Sequence, residues 1–168
     1  MAFTITPLGP QHDRAAFSSG NAALDDYLRT KARKEAELGY CAVFILAEDG
    51  APSTIAGYYT LSSYSIALDE IAQQVRKRLP RYPLVPTMLI GRLARDIRFR
   101  KTRVGATLLL DAMRRALHAS VQIGAYAVVV DAIDENAAAF YGRHGFIPLV
   151  GSGNRLYLPM ESISKLEL

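Results

Sequence analysis

The residues best placed to do chemistry form a basic loop between a buried strand and a helix. In "RDIRFRKTRVGATLLLDAMRRA", residues 95–116, Lys101 and Arg103 precede Gly105, where an apolar helical stripe begins. The first N–H groups of a helix lack intrahelical partners and carry the positive end of the dipole, so such a start binds anions. Phosphate loops are usually rich in glycine, whereas this loop contains one glycine. The segment predicts either a phosphate site with altered geometry or simply a basic helix start.

Tyr141 is a second candidate, as a proton donor. It lies in "NAAAFYGRHGF", residues 136–146, between Phe140 and Phe146, which we expect in the core. A phenol with its ordinary pKa of about 10 stays protonated at neutral pH and can give a proton to a leaving group. An amphipathic position on a helix suits tyrosine equally well. Spacing alone leaves both roles open.

The start of the same helix offers two further polar groups. Asn136 either binds a ligand or caps the helix that begins at Asp134. Glu135 is interpreted as a first-turn carboxylate that complements the helix dipole rather than as a general base. No strongly placed general base is predicted.

Several other kinds of site are excluded by spacing. His12, His118 and His144 are scattered and none pairs with a cysteine or carboxylate at metal-binding spacing, so we expect no metal. The sequence has no Gly-x-Ser-x-Gly elbow, phosphate-binding P-loop or dinucleotide fingerprint. Hydrolase and nucleotide-hydrolysing functions are therefore disfavoured.

The elements that position these residues alternate between helices and strands. After a helix in "SSGNAALDDYLRTKARKEAELG" come two strands that we expect to be antiparallel, a short helix in "LDEIAQQVRKRL" and a proline-rich loop, "PRYPLVP". A strand in "TMLIGRLARDI", the helix after Arg103 and a buried strand in "AYAVVVDA" form a strand–helix–strand crossover. The helix carrying Tyr141 and a strand in "NRLYLPM" complete the pattern. It predicts a mixed α/β sheet with helices on both faces.

Length and composition favour one globular domain over residues 1–168. The 168 residues are 50% hydrophobic and 21% charged, and no apolar run approaches the ~20 residues that cross a bilayer. The amino terminus lacks the pattern of a signal peptide, and one cysteine, Cys41, suits a reducing compartment. We expect a cytoplasmic protein without membrane association.

The strand, basic loop and later Tyr-containing helix together resemble the GNAT superfamily of N-acetyltransferases. The resemblance implies the GNAT fold, a mixed sheet whose antiparallel first strands precede a parallel pair that splays at the cofactor site. It also implies acetyl-coenzyme A as co-substrate, with Tyr141 as the catalytic acid. In the superfamily's loop pattern, Arg/Gln-x-x-Gly-x-Gly/Ala, Arg103 replaces the middle glycine, which we expect to remove access to a positive φ. The implied cofactor-binding residues are Leu93, Ala94, Arg95, Arg100, Lys101, Thr102, Arg103, Val104, Gly105, Ala106, Asn136 and Tyr141.

A narrower resemblance covers nearly the whole chain. The segments "FSSGNAALDDYLRTKA", "IAGYYTLSSYSI", "IGRLARD", "LLLDAMRRA", "AYAVVVDAIDENAAAFYGRHGFIPL" and "LYLPM" are similar, in this order, to the acetyltransferase toxins of bacterial toxin–antitoxin pairs. This implies an acyltransferase that acetylates the α-amino group of aminoacyl-tRNA and thereby blocks translation. It also implies a ribbon-helix-helix antitoxin as partner and a homodimer.

A net charge of +4 fits an RNA substrate but does not require one. With the resemblance, charged tRNA is the leading partner, held by phosphate contacts. Two alternatives remain: acetylation of a small amine or protein amino group, or a non-catalytic binding protein of the same fold. The candidate RNA-binding residues are Arg76, Lys77, Arg78, Arg81 and Arg92.

Overall fold

A mixed sheet organises the chain. The computed structural model describes residues 2–168, and over that range the sheet has seven strands in the order β1-β2-β3-β4-β5-β7-β6. The strands are β1 (Phe3–Pro7), β2 (Ala42–Glu48), β3 (Gly57–Ala67), β4 (Leu84–Arg95), β5 (Ala127–Asp131), β6 (Ile147–Pro148) and β7 (Arg155–Pro159).

The pairing changes direction along the sheet as the sequence predicts. β1 with β2 and β2 with β3 are antiparallel, and β4 with β5 is parallel. β7 pairs antiparallel with both β5 and β6. The β4–β5 register runs from Thr87↔Ala127 to Ile90↔Val130, and β4 continues beyond it through Gly91–Arg95. The predicted mixed α/β class, with antiparallel strands first and a parallel pair later, is confirmed.

Six α-helices lie within the described residues, together with short 3-10 helices at Leu68–Glu70 and Ile97–Phe99. The α-helices are α1 (Ala22–Thr30), α2 (Ala32–Glu37), α3 (Gln73–Arg76), α4 (Val104–Gln122), α5 (Glu135–Arg143) and α6 (Met160–Ser164). Asn21 caps α1 by accepting a hydrogen bond from the N–H of Leu24, and the backbone leaves the helical region at Lys31, where φ is −124°. The single first helix that we predicted is therefore two helices.

Three further differences separate the structure from the predicted elements. β1, β6 and α6 were not predicted, and the short helix before β4 is a 3-10 turn followed by α3. β4 begins at Leu84, so part of the predicted proline-rich loop belongs to the strand. Pro86 is tolerated near the start of β4, where its carbonyl accepts a hydrogen bond from the N–H of Tyr126.

The chain divides into two compact units. One comprises the described residues up to Ser62 together with Gly91–Ala112, and the other comprises Ser63–Ile90 with Met113–Leu168. The core of the first unit contains Phe17, Leu24, Tyr27, Leu28, Ala32, Val43, Ile45, Ile55, Tyr58 and Ala94. The core of the second contains Ile66, Ile71, Val85, Ala127, Val129, Leu149 and Tyr157. The single domain over residues 1–168 stays a prediction.

No helix among residues 2–168 is long and apolar enough to span a membrane.

Candidate functional site

In the first unit, Asp96 fixes the end of β4. Its side chain is buried and accepts hydrogen bonds from the N–H of Ser18 (3.0 Å), the N–H of Arg98 (2.9 Å) and the Arg98 guanidinium (2.8 and 2.9 Å). Burial by itself raises the pKa of this carboxyl, but the Arg98 side chain, the two backbone N–H groups and the guanidinium charge lower it overall. The chain beyond β4 is thereby held by a carboxylate that stays ionised.

The last residues of β4 are the predicted cofactor strand. Ala94 is buried, whereas Leu93 and Arg95 are half-buried. The N–H of Arg92 donates to the side-chain hydroxyl of Thr60 at 3.1 Å. Thr60 is itself buried, so its hydroxyl provides a partner for a strand N–H that would otherwise need a carbonyl. β4 is therefore held at this point by a side chain as well as by the sheet.

The basic loop has a left-handed residue, but that residue is Lys101. Its φ is 61°, and no other non-glycine residue of the described range has a positive φ. Arg103, which replaces the middle glycine of the superfamily pattern, does not adopt a positive φ, in line with the expected loss of that conformation there. Arg103 directly precedes α4, and its carbonyl accepts the first i to i+4 hydrogen bond, from the N–H of Thr107 at 2.8 Å. An arginine fits this position because no left-handed backbone is required there.

Thr102 closes the loop against the helix. Its hydroxyl donates to the carbonyl of Phe99 and accepts a hydrogen bond from the N–H of Val104 at 3.3 Å. Val104 is fully buried. Over the described residues, the N–H groups of Gly105 and Ala106 have no protein acceptor, as expected for the first turn of an α-helix. These two groups are available to an anion.

Three cationic side chains surround this helix start. Arg100, Lys101 and Arg103 are exposed, and none forms an ion pair with a carboxylate among the residues that the structure describes. Arg100 passes close to Gly20, since a Cβ built on Gly20 would lie 3.3 Å from its Nη2 atom. Free N–H groups, the helix dipole and three cations suit a pyrophosphate.

Gly57 allows the helix start to approach the sheet closely. A Cβ at this position would lie 2.7 Å from Cδ1 of Leu108, 2.9 Å from the carbonyl oxygen of Ala94 and 3.1 Å from Cγ1 of Val104. The three neighbours belong to β4 and to the first turns of α4. Glycine at the start of β3 is therefore required by close packing of backbone against helix.

In the second unit, α5 begins one short turn after β5. Asp134 caps it, accepting a hydrogen bond from the N–H of Ala137 at 2.8 Å. The capping role that the sequence left open for Asn136 therefore belongs to Asp134. Asn136 lies in the first turn with an exposed side chain, which makes no hydrogen bond to any other described residue. Glu135 is the first-turn acidic residue, as predicted.

Tyr141 is buried in the last turn of α5, with 5% of its surface exposed. Its ring contacts Phe140 and Phe146 edge-on, at centroid distances of 5.4 and 5.7 Å. Its hydroxyl makes no hydrogen bond to another residue of the described range. Burial, and then the negative charge of Asp131, raises the pKa of the Tyr141 phenol. The group therefore stays protonated and available as a donor.

The predicted RNA-binding residues are divided between the two units of the chain. Arg76 lies at the end of α3 and is half-buried, donating from Nη1 to the carbonyls of Asp69 (3.3 Å) and Ile71 (3.4 Å). Lys77, Arg78 and Arg81 follow it and are exposed. Arg92 belongs to the other unit, where its guanidinium carbon lies 3.6 Å from the centroid of the Tyr27 ring.

Each unit thus brings part of the predicted set together. The first holds Leu93–Arg95 beside the basic loop and the start of α4, and the second holds Asn136 and Tyr141 on α5.

Sequence reasoning missed Gly57 and Asp96. A glycine inside a strand pattern and an aspartate directly after a buried strand were the available signals. Searched over residues 2–168, the structure has no group of side chains that could hold a metal ion.

Comparison with known proteins identifies relatives along nearly the whole chain. The probable toxin TacT of Sinorhizobium fredii is 31% identical over 96% of this chain and 93% of its own length. The tRNA-acetylating toxin of Mycobacterium tuberculosis is 37% identical over 80% of this chain and 78% of its own length. No family model matches the sequence.

Solved structures agree with these relatives. A tyrosine-to-phenylalanine mutant of KacT has a TM-score of 0.91 at 29% identity, covering 98% of both chains. AtaT complexed with acetyl-methionyl-tRNAfMet has a TM-score of 0.90 at 31% identity, covering 97% of this chain and 98% of that one. A tyrosine-to-phenylalanine mutant of AtaT, bound to the C-terminus of the antitoxin AtaR and to acetyl-CoA, has a TM-score of 0.82 at 29% identity over 98% and 97%.

The structural match to AtaT covers 97% of this chain, and the identity to two curated toxins exceeds 30% over 96% and 80% of it. The chain therefore belongs to the family of tRNA-acetylating toxins of the GNAT fold.

Proposed function

We propose that this protein transfers the acetyl group of acetyl-coenzyme A to the α-amino group of aminoacyl-tRNA and thereby blocks translation. The observation that carries the proposal is the similarity, over 97% of this chain, to AtaT in complex with acetyl-methionyl-tRNAfMet. The helix start with its cations and the buried, protonated Tyr141 supply groups that acetyl transfer needs. An acetylated amino group no longer acts as a nucleophile in peptide-bond formation.

The start of α4 would bind the pyrophosphate of acetyl-coenzyme A. The N–H groups of Gly105 and Ala106 would donate to phosphate oxygens, and the side chains of Arg100, Lys101 and Arg103 would add charge-assisted hydrogen bonds. Thr102 and Val104 have a positioning role, because their mutual hydrogen bond of 3.3 Å shapes the turn into the helix. The main chain of Leu93, Ala94 and Arg95 would hold the pantetheine arm. A solved structure of AtaT, which shares this fold, contains acetyl-CoA and supports this assignment.

The transfer itself requires few protein groups. The neutral α-amine attacks the thioester carbonyl carbon, a C–N bond forms, and the C–S bond breaks as the thiolate leaves. Tyr141 gives the leaving sulfur its proton, the surplus amine proton passes to water, and water returns a proton to the Tyr141 phenolate. An aminoacyl ester amine is only weakly basic, so a water relay suffices in place of a dedicated base. Asn136, with its exposed amide, would hydrogen-bond the cofactor arm.

Tyrosine-to-phenylalanine mutants of two relatives, KacT and AtaT, support a special role for one tyrosine in this family. In this chain we assign that role to Tyr141. Its raised pKa keeps the proton in place across the physiological range, and its hydroxyl is not engaged by another described side chain. The proton is therefore present when negative charge develops on the sulfur.

The partners follow from the same relatives. Charged tRNA would be held through Lys77, Arg78 and Arg81 of the second unit, which follow Arg76 in the chain, and through Arg92 of the first unit. We also propose a ribbon-helix-helix antitoxin as the neutralising partner, a homodimer as the active form and the cytoplasm as the place of action. AtaT in complex with the C-terminus of AtaR supports the antitoxin partner.

The decisive experiment compares wild-type protein with Tyr141→Phe on charged tRNA and [¹⁴C]acetyl-coenzyme A. We expect acetylation by the wild type and a loss of about 100-fold in kcat for the variant, the usual contribution of general acid catalysis. Cofactor affinity, measured by calorimetry, should be unchanged because only the hydroxyl is removed.

Three results would contradict the proposal in distinguishable ways. Equal activity of the variant would exclude Tyr141 as the proton donor. Acetylation of free amines or protein amino groups in preference to charged tRNA would favour a different acceptor. Absence of acetyl-coenzyme A binding would leave a non-catalytic binding protein.

A further inference from the structure

The segment between α3 and β4 presents a basic and aromatic surface. Lys77, Arg78 and Arg81 are exposed, and Tyr82 exposes 72% of its surface. No carboxylate of the described range pairs with any of the three cations. We call these four residues the Lys77–Tyr82 patch. It lies wholly within the second unit of the chain.

The segment is anchored to the core of the second unit. Val75 and Leu79 pack against the core of the second unit, and the carbonyl of Pro83 accepts a hydrogen bond from the N–H of Leu68 at 3.0 Å. Prolines at both ends of "PRYP" restrict φ. Little backbone conformational entropy therefore remains to be lost when the patch binds a ligand.

Arg76 is part of this anchor. Both acceptors of its Nη1 atom are main-chain carbonyls of the preceding turn, those of Asp69 and Ile71. The guanidinium is thus used within the protein, which makes Arg76 a positioning residue. The contacts to a ligand fall to the four exposed residues that follow it.

A single-stranded nucleic acid combines the two properties that this patch complements. Its phosphates are anionic, and each of its unpaired bases has a flat face that stacks on an aromatic ring. A base-paired stem would engage the cations but would leave the ring of Tyr82 without a partner, because its bases are stacked on each other. An acidic peptide would use the cations and has no general need of the ring.

We propose that the Lys77–Tyr82 patch binds an unpaired nucleotide of the charged tRNA, with Tyr82 stacked on its base and Arg78 and Arg81 on flanking phosphates. This inference rests on the proposed function. It adds a recognition element that belongs neither to α4 nor to α5.

The test measures steady-state acetylation of charged tRNA and of an amino-acid methyl ester, which carries the amine without a nucleotide. We expect Tyr82→Ala to raise KM for charged tRNA at least about fivefold, the lower range of base–aromatic stacking, with kcat unchanged. Tyr82→Phe should stay within about twofold of wild type because the ring remains. Neither variant should change activity on the ester.

Matched variants separate stacking from general surface effects. Tyr40 is exposed to a similar degree, 74%, so Tyr40→Ala should leave KM for charged tRNA unchanged. Arg78→Ala combined with Arg81→Ala should reduce the dependence of log affinity on log salt concentration by about 2, one for each phosphate contact. These measurements use fluorescence anisotropy of labelled tRNA and do not require turnover.

Three outcomes would overturn the inference. An unchanged KM in Tyr82→Ala would show that the ring does not contact tRNA. A loss in Tyr82→Phe equal to that in Tyr82→Ala would point to the hydroxyl rather than to stacking. If the variants of the patch bind tRNA as the wild type does but lose binding to the antitoxin, the patch belongs to a protein partner. A wild-type protein that binds tRNA through Tyr82 but fails to acetylate it would instead contradict the proposed function.

Discussion

The guanidinium of Arg92 lies over the ring of Tyr27, with 3.6 Å between its central carbon and the ring centroid. The ring is held from its other end, because its hydroxyl donates to Oε1 of Glu35 at 2.9 Å and lies 3.2 Å from Sγ of Cys41. Burial first, and then these two neighbours, raises the pKa of Tyr27. Since the phenol stays neutral, the cation faces an uncharged ring, and Arg92 is fixed one residue before the predicted cofactor strand.

We expect this cation–π contact to contribute about 1 kcal/mol to the free energy of unfolding, between the values for exposed and desolvated pairs. A double-mutant cycle with Arg92→Ala and Tyr27→Leu, followed by urea denaturation, measures the coupling directly. Strict additivity of the two single variants would show that the stacking has no energetic weight. If Arg92 also contacts tRNA, Arg92→Ala should weaken tRNA binding more than Tyr27→Leu does.

The left-handed conformation of Lys101 gives a second prediction. Lys101→Gly and Lys101→Gln both remove the cation, but only glycine relieves a backbone strain of roughly 1–2 kcal/mol. We expect the glycine variant to unfold at higher urea than the glutamine variant, by about 1 kcal/mol. Both should bind acetyl-coenzyme A more weakly than wild type by calorimetry. Tighter binding in Lys101→Gly would mean that the side chain obstructs the pyrophosphate.

The close packing around Gly57 gives a third prediction. A Cβ added at this position would lie 2.7 Å from Cδ1 of Leu108 and 2.9 Å from the carbonyl oxygen of Ala94. Because one of these atoms is backbone, we expect Gly57→Ala to cost about 2 kcal/mol, as overpacking does, and to weaken acetyl-coenzyme A binding. Gly124→Ala is the control, since nothing in the described structure lies within 4 Å of a Cβ there. Equal thermal stability of the two variants would contradict the packing account.

Two buried threonines on neighbouring strands give a fourth prediction. Thr87 is 3% exposed and its hydroxyl has no hydrogen-bond partner among the described residues, whereas the hydroxyl of Thr60 accepts from the N–H of Arg92. Thr87→Val should therefore stabilise the protein by about 1 kcal/mol, because an unsatisfied buried group is removed. Thr60→Val should destabilise it by about 1–2 kcal/mol, because a strand N–H loses its partner. Destabilisation in Thr87→Val would indicate a partner for its hydroxyl.

A fifth prediction concerns acid stability. The pKa of Asp96 lies below its ordinary value of 3.8, so the folded state binds its proton less readily than the unfolded chain does. Its stabilisation is fully present above the unfolded pKa and is lost as pH falls through the lower folded pKa. We expect the unfolding free energy of wild type to decrease below about pH 4 more steeply than that of Asp96→Asn. Parallel pH profiles by urea denaturation would exclude this carboxyl as a source of the dependence.

Much of the architecture follows from local sequence patterns. The buried runs that became β2 and β5, the apolar stripe of α4 and the cap of α5 all have strong periodic or capping signals. β1 was missed because "FTITP" is short and its burial comes from pairing with β2, which lies about 40 residues away in sequence. The break at Lys31 has no strong local signal either, since "RTKARKEAE" is good helix-forming sequence throughout.

The candidate residues of the site could be predicted from the sequence, but the contacts that position them could not. The basic loop is visible in the sequence from its charges and the helix that follows, whereas the catalytic role predicted for Tyr141 depends on the family resemblance, because spacing alone leaves its role open. The contacts that hold them depend on residues distant in sequence, such as Ser18 with Asp96 and Gly57 with Leu108. Such pairs are set by tertiary packing, and a single sequence does not reveal them.

The position of the left-handed residue has a consequence for how remote relatives are recognised. A search pattern that demands glycine three residues after Arg100 rejects this chain, although the strained backbone lies at Lys101 and the turn into α4 is complete. The N–H groups of Gly105 and Ala106 have no protein acceptor among the described residues, and this does not depend on a glycine at position 103. Divergent members of this enzyme group are therefore better sought by the backbone conformation at the start of this helix than by the amino-acid sequence of the loop.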